Sequence, residues 1–108
     1  MSEVAETKSE AAAKKKTGSV YRIDCLCGCE GFYIGATAEP LSKRMAGHRR
    51  DMNLYQRPMY EHMREVNDAS KFTISLIERI EFNDREELTA MENYYIRSLG
   101  AIKDGFNR

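Results

Sequence analysis

Apolar and polar positions alternate from Ser19 to Asp24, with Val20 on one side and Tyr21 and Ile23 on the other. A period of two predicts a strand. The glycine-bearing stretch CLCGCEG at 25–31 follows, and then a second strand, GFYIGAT at 31–37, so the pair reads as a hairpin. Past Pro40 the period changes. Leu41, Met45 and Met52 fall within about 40° of one another at about 100° per residue, which predicts an amphipathic helix over 39–52. Pro40 suits its first turn, with Thr37 or Ala38 near the cap. A short helix follows Pro58 and carries Met59 and Met63. Alternation returns with Phe72, Ile74 and Leu76 on one face of a third strand. Asn83-x-x-Glu86 reads as a capping box. It opens a helix whose apolar stripe is Leu88, Met91, Tyr95, Ile96 and Leu99, ended by Gly100 as its C′ residue. The order β-β-α-α-β-α makes an α+β domain with its strands in one sheet.

Residues 1–16 show no such period and read as a flexible polar tail before a single domain over 17–108. Lys plus Arg and Asp plus Glu number 17 each, so net charge points to no partner. No apolar run approaches a membrane span, and the N-terminus lacks the apolar stretch of a signal peptide. The expectation is an intracellular protein, in cytoplasm or nucleus, that is neither secreted nor bound to a membrane. Charge is uneven, however. From Lys43 to Arg57 there are five bases (Lys43, Arg44, Arg49, Arg50, Arg57) against the one acid Asp51. Such a run is either a solvated helix face or a surface for phosphate.

Three features place polar groups on apolar faces. On the last helix, Glu92 falls about 40° from Leu88, inside the stripe. A carboxylate there must be paired, metal-bound or protonated; a salt bridge or a rim position would suffice. On the first helix, Arg44 and His48 are spaced i, i+4 beside the buried stripe. In the hairpin, Tyr33 shares a face with Gly35, and a suitable register brings Tyr21 to that face too. Gly35 leaves space beside Tyr33 that the first helix or a DNA backbone could fill. Two phenols, a guanidinium, an imidazole and a carboxylate suit phosphate chemistry: Arg neutralises phosphate, Glu holds a hard cation, and Tyr or His handles the proton.

These residues, in this order, resemble the GIY-YIG nuclease domain. Ser19-Val20-Tyr21 stands where that family has Gly-Ile-Tyr, Tyr33-Ile34-Gly35 is intact, and Leu41-x-x-Arg44-x-x-x-His48, Glu92 and Gly105-Phe106-Asn107-Arg108 complete the series. The resemblance runs from Gly18 to Arg108. It implies a small three-stranded antiparallel sheet flanked by helices, and hydrolysis of a DNA phosphodiester with Mg²⁺ or Mn²⁺. It implies Glu92 as the metal ligand and Arg44 as the phosphate holder. Tyr21, directly or with His48, would be the general base, and His48, whose pKa is better matched, is the other candidate; Tyr33 would position water or phosphate, and Asn107 would support the site. Lys43, Arg49, Arg50 and Arg57 would contact DNA. One site cuts one strand, so double-strand cleavage needs a dimer or partner protein, or two successive visits. A non-catalytic nucleic-acid-binding or adaptor module with the same fold is the alternative.

Cys25, Cys27 and Cys29 lie outside the family motif. In a strand they would point the same way, and they lack the matched partner pair of a zinc site. They read as hairpin thiols open to oxidation, with a small metal-binding protein centred on them as the weaker alternative.

Overall fold

A computed structural model describes residues 16–107. The expected polar tail falls largely on residues 1–15, and that part, like Arg108, lies outside the described residues. Strand β1 (Lys16–Cys25) is the centre of a three-stranded antiparallel sheet, between β2 (Phe32–Thr37) and β3 (Phe72–Phe82), in the order β2-β1-β3. Helices α1 (Leu41–Asp51) and α2 (Pro58–Val66) come between β2 and β3; α3 (Arg85–Ser98) and a one-turn α4 (Ala101–Asp104) follow.

The alternation read in β1 sorts the core into two. Tyr21, Ile23 and Cys25 face Met45, Met59, Tyr60, Met63 and Phe72. Val20 faces the other way, with Phe32, Ile34 and Ala101, against Met91, Tyr95 and Ile96 of α3. The sheet is thus covered by α1 and α2 on one side and by α3 and α4 on the other. Burying a side chain such as Phe72 or Leu88 contributes about 1.5–3 kcal/mol.

Local details depart from the sequence pattern. In β3, Leu76 is 46% exposed although it alternates with Phe72 and Ile74. Leu76 keeps the face of Phe72 and Ile74, opposite Tyr21, on the edge strand of the sheet; beyond it a bulge (Val20 pairs with Glu78) makes Ile77 the extra residue, which packs on the α3 side. Helix α1 starts at Leu41, with Pro40 itself at the cap position (ψ 146°) and no side-chain cap; the Thr37 hydroxyl accepts instead from the Glu39 N–H at 3.0 Å. Helix α3 is capped one residue later than Asn83. Asp84 accepts from the Glu86 N–H at 2.8 Å, and Glu87 reaches back to the Asn83 N–H at 2.6 Å. Gly100 has φ +70° and ends α3 as expected, but Leu99 is 40% exposed rather than part of the buried stripe.

Candidate active site

The β1–β2 register settles the position of the two tyrosines. Tyr21 pairs with Gly35 and Ile23 with Tyr33, so both phenols rise from one face. The Tyr21 ring lies over Gly35: a Cβ there would collide with the ring and hydroxyl of Tyr21. The bare position therefore serves Tyr21, not helix α1 or a DNA backbone. We expect Gly35→Val to lose at least about 1–3 kcal/mol of stability through overpacking, read by urea denaturation, because the displaced neighbour is a buried ring. A variant as stable as the parent would show that Tyr21 can sit elsewhere.

Helix α1 brings Arg44 and His48 to this ring. Arg44 Nε donates to the Tyr21 hydroxyl oxygen at 3.3 Å. The Tyr21 O–H then has His48 Nε2 as its acceptor at 2.8 Å. With Nε2 accepting, neutral His48 carries its proton on Nδ1 and donates it to the Tyr60 hydroxyl, also at 2.8 Å. Tyr33 packs edge-on to His48, ring centroids 5.6 Å apart. Tyr60, on α2, is a member that the sequence reading missed. On the helix it reads only as a core neighbour of Met59.

Electrostatics narrow what each group can do. Burial, then the neighbouring Tyr33, hold the Tyr21 phenol above its ordinary pKa despite the hydrogen bond from Arg44. Tyr21 is therefore not a ready phenolate, and the positive charge beside it does not suffice to make it one. Burial, then Arg44, push His48 down to about 4. A buried neutral histidine makes stability depend on pH. The unfolded chain takes up a proton near pH 6.5 and the folded chain only near 4, so stability is fully present above about 6.5 and falls between 6.5 and 4. The loss at His48 is on the order of 3 kcal/mol. Melting curves for the parent and His48→Gln should converge as pH drops through that window; parallel curves would contradict a neutral buried imidazole.

Glu92 and Asn107 meet at the outer edge of β2, which no other strand pairs among the described residues. The Phe106 N–H donates to the Phe32 carbonyl at 2.7 Å. The Asn107 amide takes both groups of Ile34, its Oδ1 accepting at 2.8 Å and its Nδ2 donating at 2.7 Å. The Ala36 N–H donates to the half-buried Glu92 carboxylate. Side chains from α3 and the C-terminal segment thus complete a strand edge, which explains a carboxylate inside an apolar stripe. Burial raises the Glu92 pKa, opposed by Arg85 and the Ala36 N–H. Its charge reaches both tyrosines, raising the Tyr33 pKa alongside burial and contributing a smaller rise at Tyr21.

Tyr21 meets Arg44, His48 and Tyr33, and Tyr33 meets His48; Glu92 lies near enough for its charge to act on both tyrosines, and Asn107 is committed to backbone. A cavity of about 270 Å³ is lined by Tyr33, His48, Arg57, Tyr60, Phe106 and Asn107 among others. A second, of about 240 Å³, is lined by Tyr33, Arg44, His48, Arg57 and Tyr60 with two neighbours. Arg57 borders both. Lys43, Arg49 and Arg50 are exposed on α1, with Arg50 3.6 Å from Asp51. As a hard-cation site Glu92 is a single carboxylate, one of whose acceptor positions goes to Ala36. That fits Mg²⁺, which keeps several waters and uses one or two carboxylates with substrate phosphate.

The cysteines are not strand residues pointing one way. β1 ends at Cys25, and the turn at 26–31 gathers all three sulfurs around His62 of α2. This histidine, too, went unnoticed in the sequence.

Among solved structures, the fold matches a mutant of the catalytic domain of intron endonuclease I-TevI with a TM-score of 0.70, at 18% identity, over 84% of this chain and 92% of that one. The catalytic domain of homing endonuclease I-TevI matches with a TM-score of 0.68, at 17% identity, over 82% and 95%. No family model and no curated protein matches the sequence.

Proposed function

We propose that this chain, which has the GIY-YIG nuclease fold, is a divalent-metal-dependent DNA endonuclease hydrolysing a phosphodiester bond at a single active site. The observation that carries this reading is the continuous hydrogen-bonded chain Arg44–Tyr21–His48–Tyr60, set beside Tyr33 and Glu92. The relatives in fold are endonuclease catalytic domains by name, which adds support.

Glu92 would hold the cation. Bound Mg²⁺ or Mn²⁺ supplies charge stabilisation at the phosphate oxygens and a more acidic water. Arg44 binds the scissile phosphate and neutralises charge that builds on it. Its Nε is engaged by Tyr21, and its terminal nitrogens remain the natural phosphate contacts. The attacking water gives its proton to the Tyr21 oxygen as the Tyr21 proton moves to His48 Nε2. The new P–O bond forms as the leaving oxygen departs with the bonding pair. Such a relay needs no free phenolate, in keeping with the raised Tyr21 pKa. The two candidate bases thus become two links of one path. Tyr33 orients water or phosphate, and Asn107 fixes the strand that carries it. Lys43, Arg49, Arg50 and Arg57 would meet the DNA backbone.

A single site cuts one strand, so a double-strand break requires a second copy, a partner protein or a second visit. No described helix is long and apolar enough to cross a membrane, and the proposed substrate places the protein with DNA in the cytoplasm or nucleus. The test is nicking of supercoiled plasmid by the purified chain, with Mg²⁺ or Mn²⁺ added or omitted. We expect open-circular product only with added metal. No cleavage across metals and DNA structures would favour a non-catalytic binding module on the same fold.

A further inference from the structure

We propose that Cys25, Cys27, Cys29 and His62 form a structural Zn²⁺ site, separate from the Glu92 cation and clamping the β1–β2 loop to helix α2. The donor atoms already converge. His62 Nε2 lies 3.4 Å from Cys25 Sγ and 3.3 Å from both Cys27 Sγ and Cys29 Sγ. All four donor atoms lie within 4.8 Å of one another. A tetrahedral Zn²⁺ with bonds of about 2.3 Å to sulfur and 2.0–2.1 Å to nitrogen needs S···N edges of about 3.5 Å and S···S edges of about 3.8 Å.

Neither hydrogen bonding nor strand geometry accounts for this cluster. One imidazole nitrogen donates or accepts a single proton, yet three sulfurs surround it. Four residues of extended strand would separate Cys25 from Cys29 by about 13 Å. The loop instead passes through two left-handed residues, Gly28 at φ +101° and Glu30 at φ +62°. Glycine tolerates that conformation at no cost, but glutamate does not. The Gly31 N–H donates to Cys29 Sγ at 3.3 Å, and His62 Nδ1 faces Glu65 at 3.5 Å. Hydrogen bonds to ligand sulfur and a carboxylate behind a ligand histidine are the usual outer contacts of such a centre.

Three thiolates and an imidazole are soft to borderline donors, which select Zn²⁺ over Mg²⁺. Four protein ligands leave no open position, so this ion would hold structure and not activate water. What it would hold is close to the catalytic groups. His62 stands two residues from Tyr60, the partner of His48, and its ring stacks on Phe106 at 5.2 Å, next to Asn107.

The test uses the full chain, purified and kept under reductant. Zn²⁺ is titrated against a chromophoric chelator, and Co²⁺ is substituted to read thiolate-to-metal charge transfer and tetrahedral d–d bands. We expect one equivalent of zinc per chain and a rise in melting temperature on zinc addition. Cys27→Ser and Cys29→Ser alter exposed side chains, so the core survives, and each should weaken zinc binding at least 100-fold. Glu92→Ala should keep the full equivalent. The proposal fails if the parent takes up no zinc, if Cys27→Ser and Cys29→Ser leave the cobalt spectrum unchanged, or if Glu92→Ala is the change that abolishes uptake.

Discussion

Replacing Glu92 with alanine should leave a folded protein whose Mg²⁺-dependent plasmid nicking falls at least about 10³-fold, to background. Among the described residues, Glu92 is the carboxylate whose charge raises the pKa of both Tyr21 and Tyr33. On the proposed mechanism, losing it removes the hard donor that would hold the cation. The structural cost is small by comparison. The Ala36 N–H loses an acceptor, worth about 1 kcal/mol, while a half-buried charge is also removed. Glu92→Gln separates the two effects. The amide still accepts from Ala36 but is a poor Mg²⁺ ligand, so it should melt like the parent and cut like Glu92→Ala. Should either variant nick as fast as the parent, the cation is held elsewhere and the assignment of Glu92 is wrong.

Glu92 also shows how a sequence pattern can mark a site without explaining it. Helical periodicity put the carboxylate in an apolar stripe. The reason, an unpaired β2 edge that needs an acceptor at Ala36, is a tertiary fact no local period contains. Gly35 was legible in the same partial way. A missing side chain was evident; that Tyr21 from the paired strand fills the space depended on register. The β-β-α-α-β-α order followed from periodicity because each element buries one face on the sheet. Leu76 lies on the face that alternation gave it, opposite Tyr21; that it is exposed there depends on β3 being an edge strand, which no local period contains. Tyr60 and His62 escaped notice because their partners lie far along the chain. The cysteines showed three ligands of a set whose fourth member comes 33 residues after Cys29, on a helix whose amphipathic pattern gives it no distinction.

The proton relay makes the other large prediction. Tyr21→Phe and His48→Ala should each lower the single-turnover cleavage rate about 10²–10⁴-fold, the usual worth of general-base assistance. Because the proposed relay runs through the two side chains in series, across one 2.8 Å hydrogen bond, the double variant should be scarcely slower than the worse single. Tyr60→Phe tests the far end. It removes only the acceptor of the Nδ1 proton, so the path stays intact and the expected loss is smaller, about tenfold. Tyr21→Phe keeps the ring over Gly35 but leaves the buried His48 Nε2 without its donor, a loss of about 1–3 kcal/mol, so rates are compared well below its melting temperature to keep lost fold out of lost rate. Rates measured at saturating Mg²⁺ keep metal affinity out of the comparison. If the Tyr21 and His48 effects multiply instead, the two residues work on separate steps, and a base other than this pair takes the water's proton. If Tyr21→Phe alone is harmless while His48→Ala is not, the imidazole receives that proton without the phenol.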